Sequence, residues 1–189
     1  MTPATIRKRF FSVLENAEQN IHLFVNVPGS DMTRHRRCPL LDTIKATLCL
    51  TMNRTNTELF DFFMSQNKPV PSKSAFTQQR KKLNAYLFPY ILKDFNEKIP
   101  FIKTFKGFHI VAADGSDVNL PTDKHDLVYR IKQARSDNVF FQMHLNVLYD
   151  ICENRYITAV TQPRPKMNES LAFCQMVDQC DLPDNTIYI

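Results

Sequence analysis

Two aspartates, Asp114 and Asp117, are the residues whose type and position most directly suggest chemistry. They follow an apolar run, FHIVAA, that is typical of a buried strand and stops at Asp114. We therefore expect the strand to end there, with Asp114 held by the sheet and its carboxylate facing solvent. A carboxylate so placed suits a divalent cation such as Mg²⁺. In the alternative, DGSD is an ordinary acidic turn whose side chains accept hydrogen bonds from the local backbone.

Other polar side chains in the second half of the chain each allow two interpretations. We expect His144 on the polar face of a later strand as a surface histidine, the alternative being an approach to the acidic end of the first strand. The residues Lys166, Asn168 and Glu169 are interpreted as the capped, solvated start of a helix, or as contacts to DNA or an active-site edge. Three basic residues in an irregular segment after the first strand either hold phosphates or are simply solvated: Arg130, Lys132 and Arg135.

The charge of the chain, +5, is concentrated in basic clusters before residue 110, at 7–9, 34–37 and 80–82. Such clusters suit a polyanion such as DNA, although a solvated basic face is the alternative. Residues 55–83 have the outline of a helix-turn-helix, although the break between the two helices is rich in proline. The second helix exposes polar groups suited to base edges and phosphates. The candidate DNA-binding residues are Lys73, Ser74, Thr77, Gln78, Arg80 and Lys81, with Arg36 and Arg37 from the preceding cluster. A helical bundle with one solvated basic helix is the competing interpretation.

The helices and strands that position these residues are predicted from the spacing of apolar residues along the sequence. Apolar residues at three- and four-residue steps predict helices near 4–24, 38–51, 56–66, 73–83 and 86–98. A capping box of Thr55 and Glu58 is expected to start the third helix, and Ser72 to cap the fourth, in which Ala75, Phe76, Gln79 and Leu83 face inward. Residues 1–100 thus form a predicted helical region.

Near residue 100 the period changes to that of strands. We predict strands at 108–113, 139–150 and 155–162, the last two as an antiparallel hairpin with Phe141, Met143, Leu145 and Val147 on one side. A helix capped by Asn168 and a final strand, TIYI, follow. The predicted class is mixed α/β, with a second domain at 101–189.

Composition excludes several classes. With three glycines in 189 residues, glycine-rich phosphate loops are disfavoured, and no apolar run is long enough for a membrane span or a secretory signal. The five cysteines are widely spaced with no CxxC pair, so we read them as structural thiols rather than metal ligands. These features favour a cytoplasmic protein.

The segment HIVAADGSDVNLP, the hairpin after it, KMNES and the terminal TIYI together resemble the transposases of the DDE class, within the group named for insertion sequence four. NTELFDFF and PSKSAFTQQRKKL are similar to the N-terminal region of the same family, so the likeness spans about residues 35–189. The resemblance implies a ribonuclease-H-like core: a first strand bearing an aspartate, two antiparallel strands, a helix, and a fourth strand followed directly by a second aspartate.

By this resemblance Asp114 matches the first metal-binding, catalytic aspartate, while Asp117 lies beyond the glycine and matches less well. The second aspartate would follow Ile189 and the glutamate would come much later, so the chain is expected to be cut off before its active site is complete. The implied cofactor is Mg²⁺ or Mn²⁺, which two-metal cleavage and strand transfer require, and this chain alone is expected to be inactive.

The implied partner is the double-stranded DNA of transposon ends, with no membrane and with a homodimer as an option for the intact transposase. The implied location is the bacterial cytoplasm, at the nucleoid when DNA is bound. Two alternatives remain open: a stand-alone DNA-binding module, and an inactive transposase remnant that binds element ends.

Overall fold

A computed structural model describes residues 2–33, 38–51, 53–123, 125–132 and 138–189. They divide into two compact units, Met1–Phe95 and Asn96–Ile189. The mixed α/β class is confirmed. No helix in the described part of the chain is long and apolar enough to cross a membrane.

The first unit is built from helices, which begin and end close to the predicted positions except at the end of the first helix. They are α1 (Pro3–Gln19), α2 (Leu40–Cys49), α3 (Thr55–Met64), α4 (Lys73–Arg80) and α5 (Leu87–Glu97). The apolar faces that define their period meet in two clusters of buried residues. One cluster contains Leu14, Ile44 and Leu87, and the other Leu59, Phe63 and Phe76 from α3 and α4.

Three local predictions in this unit are wrong. The first helix ends at Gln19, and a short 3₁₀ turn covers Ile21–Leu23. Residue Thr55 does not cap α3; instead, Glu58 reaches back and accepts a 2.6 Å hydrogen bond from the backbone N–H of Thr51. The side chain of Ala75 is exposed because α4 turns only Phe76 and Gln79 inward. The predicted cap of α4 is confirmed, since Ser72 accepts a hydrogen bond from the N–H of Ala75.

The second unit is a mixed five-stranded sheet with one helix. Its elements are β1 (His109–Asn119), β2 (Arg130–Lys132), β3 (Val139–Asp150), β4 (Arg155–Pro163), α6 (Glu169–Asp178) and β5 (Thr186–Tyr188). The strands lie in the order β2-β3-β1-β5, and β4 also pairs with β3. Strand β3 is the antiparallel neighbour of both β1 and β4, whereas β5 runs parallel to β1.

Strand β1 is longer than the sequence predicted. The expected acidic turn does not form, because residues 111–119 pair without interruption with β3, Asp114 opposite Val147 and Asp117 opposite His144. The segment with Arg130 and Lys132 is also not irregular, since it forms the short strand β2 against β3. Cross-strand hydrogen bonding therefore continues the sheet past the glycine that we expected to end it.

The helix α6 covers one face of this sheet. Val111, Leu148, Ile157 and Met176 form its buried core. Neighbouring strand residues alternate between faces, so the residues on β3 that share the face of Leu148 are the even-numbered ones. They include buried polar groups, and the apolar residues at 143, 145 and 147 lie on the opposite face, where they are only half-buried.

Candidate functional site

Asp114 lies in the middle of β1, three residues after Val111, which pairs with Tyr188 of the parallel strand β5. The last hydrogen bonds between these strands run from the N–H of Ile189 to Val111 O, at 3.0 Å, and from the N–H of Ala113 to Ile189 O, at 2.9 Å. Asp114 is the next residue of β1, and its side chain is exposed. Its carboxylate accepts one local hydrogen bond, from the N–H of Gly115 at 2.8 Å. The remaining lone pairs of this carboxylate are available to a cation.

Asp117 belongs to a different environment. It lies three residues along β1, so strand alternation points it to the opposite face from Asp114. One carboxylate oxygen lies 2.7 Å from Nδ1 of His144, and the other accepts a 2.7 Å hydrogen bond from Nε of Arg164. The hydrogen bond with His144, and then that from Arg164, hold the pKa of Asp117 below its usual value. Asp117 is therefore an ionised, fully engaged carboxylate at neutral pH.

His144 is buried, with 5% of its surface exposed, so the prediction of a surface histidine is wrong. As an even-numbered residue of β3, it lies on the face that α6 covers. Its hydrogen bond with Asp117 makes the burial of the imidazole favourable. Because an ionised carboxylate only accepts hydrogen bonds, Nδ1 of His144 is the donor in this pair. A neutral ring then has its lone pair on Nε2. That atom lies 3.2 Å from Oε1 of Glu169 and has no hydrogen bond.

Gly115 and Asn146 complete this side of the sheet, directly opposite each other on β1 and β3. A Cβ atom at position 115 would lie 2.5 Å from Nε2 of His144 and 3.4 Å from Oδ1 of Asn146. Glycine is thus required for the imidazole to lie this close to β1. Asn146 is 3% exposed, and its Nδ2 has no hydrogen-bond partner. Two buried polar side chains consequently face the same small space above Gly115.

An open cleft of about 430 Å³ runs from β1 to the first turns of α6. The cap of α6 fixes one wall, because Asn168 accepts a hydrogen bond from the N–H of Leu171, which leaves Glu169 at the cleft edge with 63% of its side chain exposed. The residues that line the cleft are Ala113, Asp114, Gly115, Asn146, Glu169, Ser170, Phe173, Cys174 and Met176. The cleft combines acidic groups with buried amide and imidazole atoms nearby.

The basic surface predicted for DNA lies on α4 in the first unit. Its candidate residues are largely solvent-accessible, with Thr77 half-buried and the others exposed: Lys73, Ser74, Gln78, Arg80 and Lys81. Phe76 and Gln79 anchor the helix from below, and the Arg80 guanidinium carbon lies 5.8 Å from the Phe76 ring centre. Five of the six candidates thus lie on one short helix, and Lys81 is the residue that follows it.

The other basic candidates are not part of α4. Arg36 and Arg37, together with Arg135, lie outside the described residues. Arg130 and Lys132 belong to β2 in the second unit.

The alternative offered for His144, an approach to the acidic residues of the first strand, is the one the structure shows in its contact with Asp117, whereas the sequence did not identify the contacts of Asn146 and Gly115. One signal was present: His144 and Asn146 are two residues apart on a strand and must share a face. It was not sufficient, because the register that places them opposite Asp117 and Gly115 depends on the continuation of β1.

Across the ranges that the structure describes, no three His, Cys, Asp or Glu side chains are grouped so that they could hold a metal ion. Comparison with protein-family models, with curated proteins and with solved structures found no match to this chain.

Proposed function

We propose that this chain is the N-terminal and early catalytic part of a DDE-class transposase, in which α4 contacts transposon-end DNA and Asp114 is the first ligand of a catalytic Mg²⁺ or Mn²⁺. The observation that carries the proposal is the position of Asp114 on β1, the strand that pairs with the parallel strand β5, one residue after Ala113, whose N–H donates to Ile189 O. In sheets with parallel strands, ligands are commonly bound beyond the carboxyl ends of those strands.

The order of elements supports the same proposal. Three antiparallel strands, a helix and a strand parallel to the first are the arrangement that a ribonuclease-H-like core would need. Apart from the short strand β2, which lies between β1 and β3, the elements β1, β3, β4, α6 and β5 come in that order. Residue 190 would come at the end of β5, close to Asp114. A second aspartate at that position could share a metal ion with it, since bridging carboxylates hold the two cations of such sites.

DNA binding through α4 can be tested on this chain by the salt dependence of its affinity for duplex DNA. Fluorescence anisotropy with a labelled duplex should show an affinity that falls steeply as salt rises, with a slope of about −0.9 per neutralised phosphate. The Lys73→Gln variant should reduce this slope by about one unit. The matched control is Lys106→Gln, which removes an equally exposed lysine in the second unit and should leave the slope unchanged. A flat slope for the unaltered chain would exclude DNA as its partner.

The role of Asp114 requires a chain that carries the second aspartate and the glutamate. With Mg²⁺ and transposon-end DNA, the Asp114→Asn variant should lose strand transfer while retaining DNA binding, because an amide removes the charge that holds the metal. Asp178→Asn, an exposed change on α6, is the matched control and should remain active. Equal activity of the Asp114→Asn variant and the unaltered chain would show that the metal is held elsewhere.

The alternative of a stand-alone DNA-binding module is favoured by one observation, the exposed polar face of α4. It predicts the same salt dependence for this chain but no strand transfer in the completed chain. The two assays together therefore separate these functions.

A further inference from the structure

We propose that His144, Glu169 and Asn146 form a second cation site, on the α6-covered face of the sheet, which binds a divalent transition-metal ion such as Mn²⁺ or Zn²⁺. This site is separate from the proposed metal at Asp114 and does not depend on the transposase assignment. Four observations on the described residues lead to it: the orientation of His144, its distance to Glu169, the unpartnered amide of Asn146, and the glycine at position 115.

The orientation of His144 is that of a metal ligand. Histidines that bind metals donate their other ring N–H to a carboxylate, which fixes the tautomer and raises the basicity of the ligating nitrogen. Here Asp117 accepts from Nδ1 at 2.7 Å and is itself held by Nε of Arg164 at 2.7 Å. With Nδ1 as the donor to Asp117, the buried Nε2 is the ring nitrogen that faces Oε1 of Glu169 and could bind a cation.

The distance between His144 and Glu169 requires a positive charge between them. Nε2 and Oε1 are 3.2 Å apart, and two acceptors at this distance repel each other unless a proton or a metal ion joins them. Two ligands of one ion with bonds of about 2.1 Å lie about 3.0–3.4 Å apart, for octahedral and tetrahedral angles respectively. The observed separation falls within that interval.

Asn146 supplies a third oxygen and Gly115 keeps the space open. Oδ1 of Asn146 and Nε2 of His144 both point toward the position where a Cβ of residue 115 would lie, at 3.4 and 2.5 Å. The Nδ2 atom of the same buried amide has no hydrogen-bond partner. Any larger side chain at position 115 would fill the space that these atoms face.

The donor set selects the class of ion. An imidazole nitrogen with carboxylate and amide oxygens suits Mn²⁺ or Zn²⁺ better than Mg²⁺, which prefers oxygen ligands alone. Only Glu169 contributes a charge directly, and water would complete the coordination. We therefore expect a readily reversible site with access from the open cleft, where most of the Glu169 side chain is exposed.

The test is a titration of the full chain with Mn²⁺, in which electron paramagnetic resonance measures the free ion. Mn²⁺ is chosen because free thiols such as Cys174, which also lines the cleft, bind it weakly. We expect saturable binding that weakens at least about tenfold in Glu169→Gln and in His144→Gln, and on the order of ten- to a hundredfold in Asp117→Asn. The control, Asp178→Asn on the same helix, should bind as the unaltered chain does.

Several outcomes would overturn the proposal. Binding that survives both Glu169→Gln and His144→Gln, in chains with an unchanged circular dichroism spectrum, would place the ion elsewhere. No binding by the unaltered chain at millimolar Mn²⁺ would show that a proton alone joins the two side chains. Loss of binding only in Asp114→Asn would overturn this site while supporting the proposed metal at Asp114, so the two proposals can fail independently.

Discussion

Replacement of Gly115 by alanine tests the packing on which the described site depends. The added Cβ would lie 2.5 Å from Nε2 and 3.1 Å from Cε1 of His144, whereas ordinary contact begins at 3.4 Å, which leaves the first pair 0.9 Å too close. The ring is 5% exposed and tied to Asp117 by a 2.7 Å hydrogen bond, so it has little room to move. Overpacking of a buried site costs about 1–3 kcal/mol.

A smaller entropy of the unfolded chain partly offsets this loss of stability. Gly115 has an extended strand conformation that alanine also adopts, and the substitution lowers the entropy of the unfolded chain, which stabilises by about 0.4–1 kcal/mol. We therefore expect the Gly115→Ala variant to be less stable by about 1–2 kcal/mol. In urea denaturation followed by circular dichroism, with a slope of about 2 kcal/mol per molar, the midpoint of the second unit should fall by about 0.5–1 M.

A double-mutant cycle with His144→Ala identifies the cause. Without the imidazole, Gly115→Ala should have little effect or be slightly stabilising, which gives a coupling energy of about 1 kcal/mol or more. Gly107→Ala is the control: no heavy atom lies within 4 Å of its added Cβ, but its φ of +84° disfavours alanine whether or not the histidine is present. An unchanged midpoint in the Gly115→Ala variant, or the same loss in both backgrounds, would refute the proposed clash.

Two further predictions concern charged pairs. The folded-state pKa of Asp117 is lowered from 3.8 by its hydrogen bonds, so its stabilisation is complete well above that value and is lost as the pH falls through the folded pKa. The stability advantage of the unaltered chain over Asp117→Asn should therefore begin to fall as the pH drops through about 4 and fall further below it, and an advantage that is the same at pH 7 and pH 2 would contradict this origin. In the first unit, Lys68→Met should destabilise by about 1–3 kcal/mol in the same urea assay, because it leaves the carboxylate of Asp42, 7% exposed and 2.6 Å from the lysine, without its cation. Lys103→Met, which removes an exposed lysine from a 3.9 Å pair, is the control and should change stability by less than about 0.5 kcal/mol.

The helices could be predicted because their signals are local. The three- and four-residue steps of α1, the Ser72 cap of α4 and the Asn168 cap of α6 each depend on residues within one or two turns. The predicted capping box at α3 was wrong because it, too, was inferred from local spacing alone. Glu58 has the correct spacing, but a competing acceptor role toward Thr51, before the helix, is not visible in the spacing alone.

The length of β1 could not be predicted because it depends on a partner strand. A glycine between two aspartates usually marks a turn, and the local sequence offers nothing against that interpretation. In the structure, β3 supplies an uninterrupted set of backbone partners from Val111 to Asn119. The non-local pairing therefore outweighs the local preference, and it also separates Asp114 and Asp117 onto opposite faces.

The covered face of the sheet is the point at which sequence reasoning and structure differ most. Alternation shows that Met143 and Val147 share one face and that His144 and Asn146 share the other, and the apolar set would ordinarily be buried. The helix α6 covers the polar set instead, and burial of polar side chains is unfavourable unless each finds a partner. His144 finds one in Asp117 and its Nε2 faces Oε1 of Glu169 at 3.2 Å, whereas the Nδ2 of Asn146 has no hydrogen-bond partner. A buried imidazole nitrogen that faces a carboxylate oxygen at 3.2 Å needs a positive charge between the two atoms, and for this reason we expect the cleft beside α6 to bind a cation.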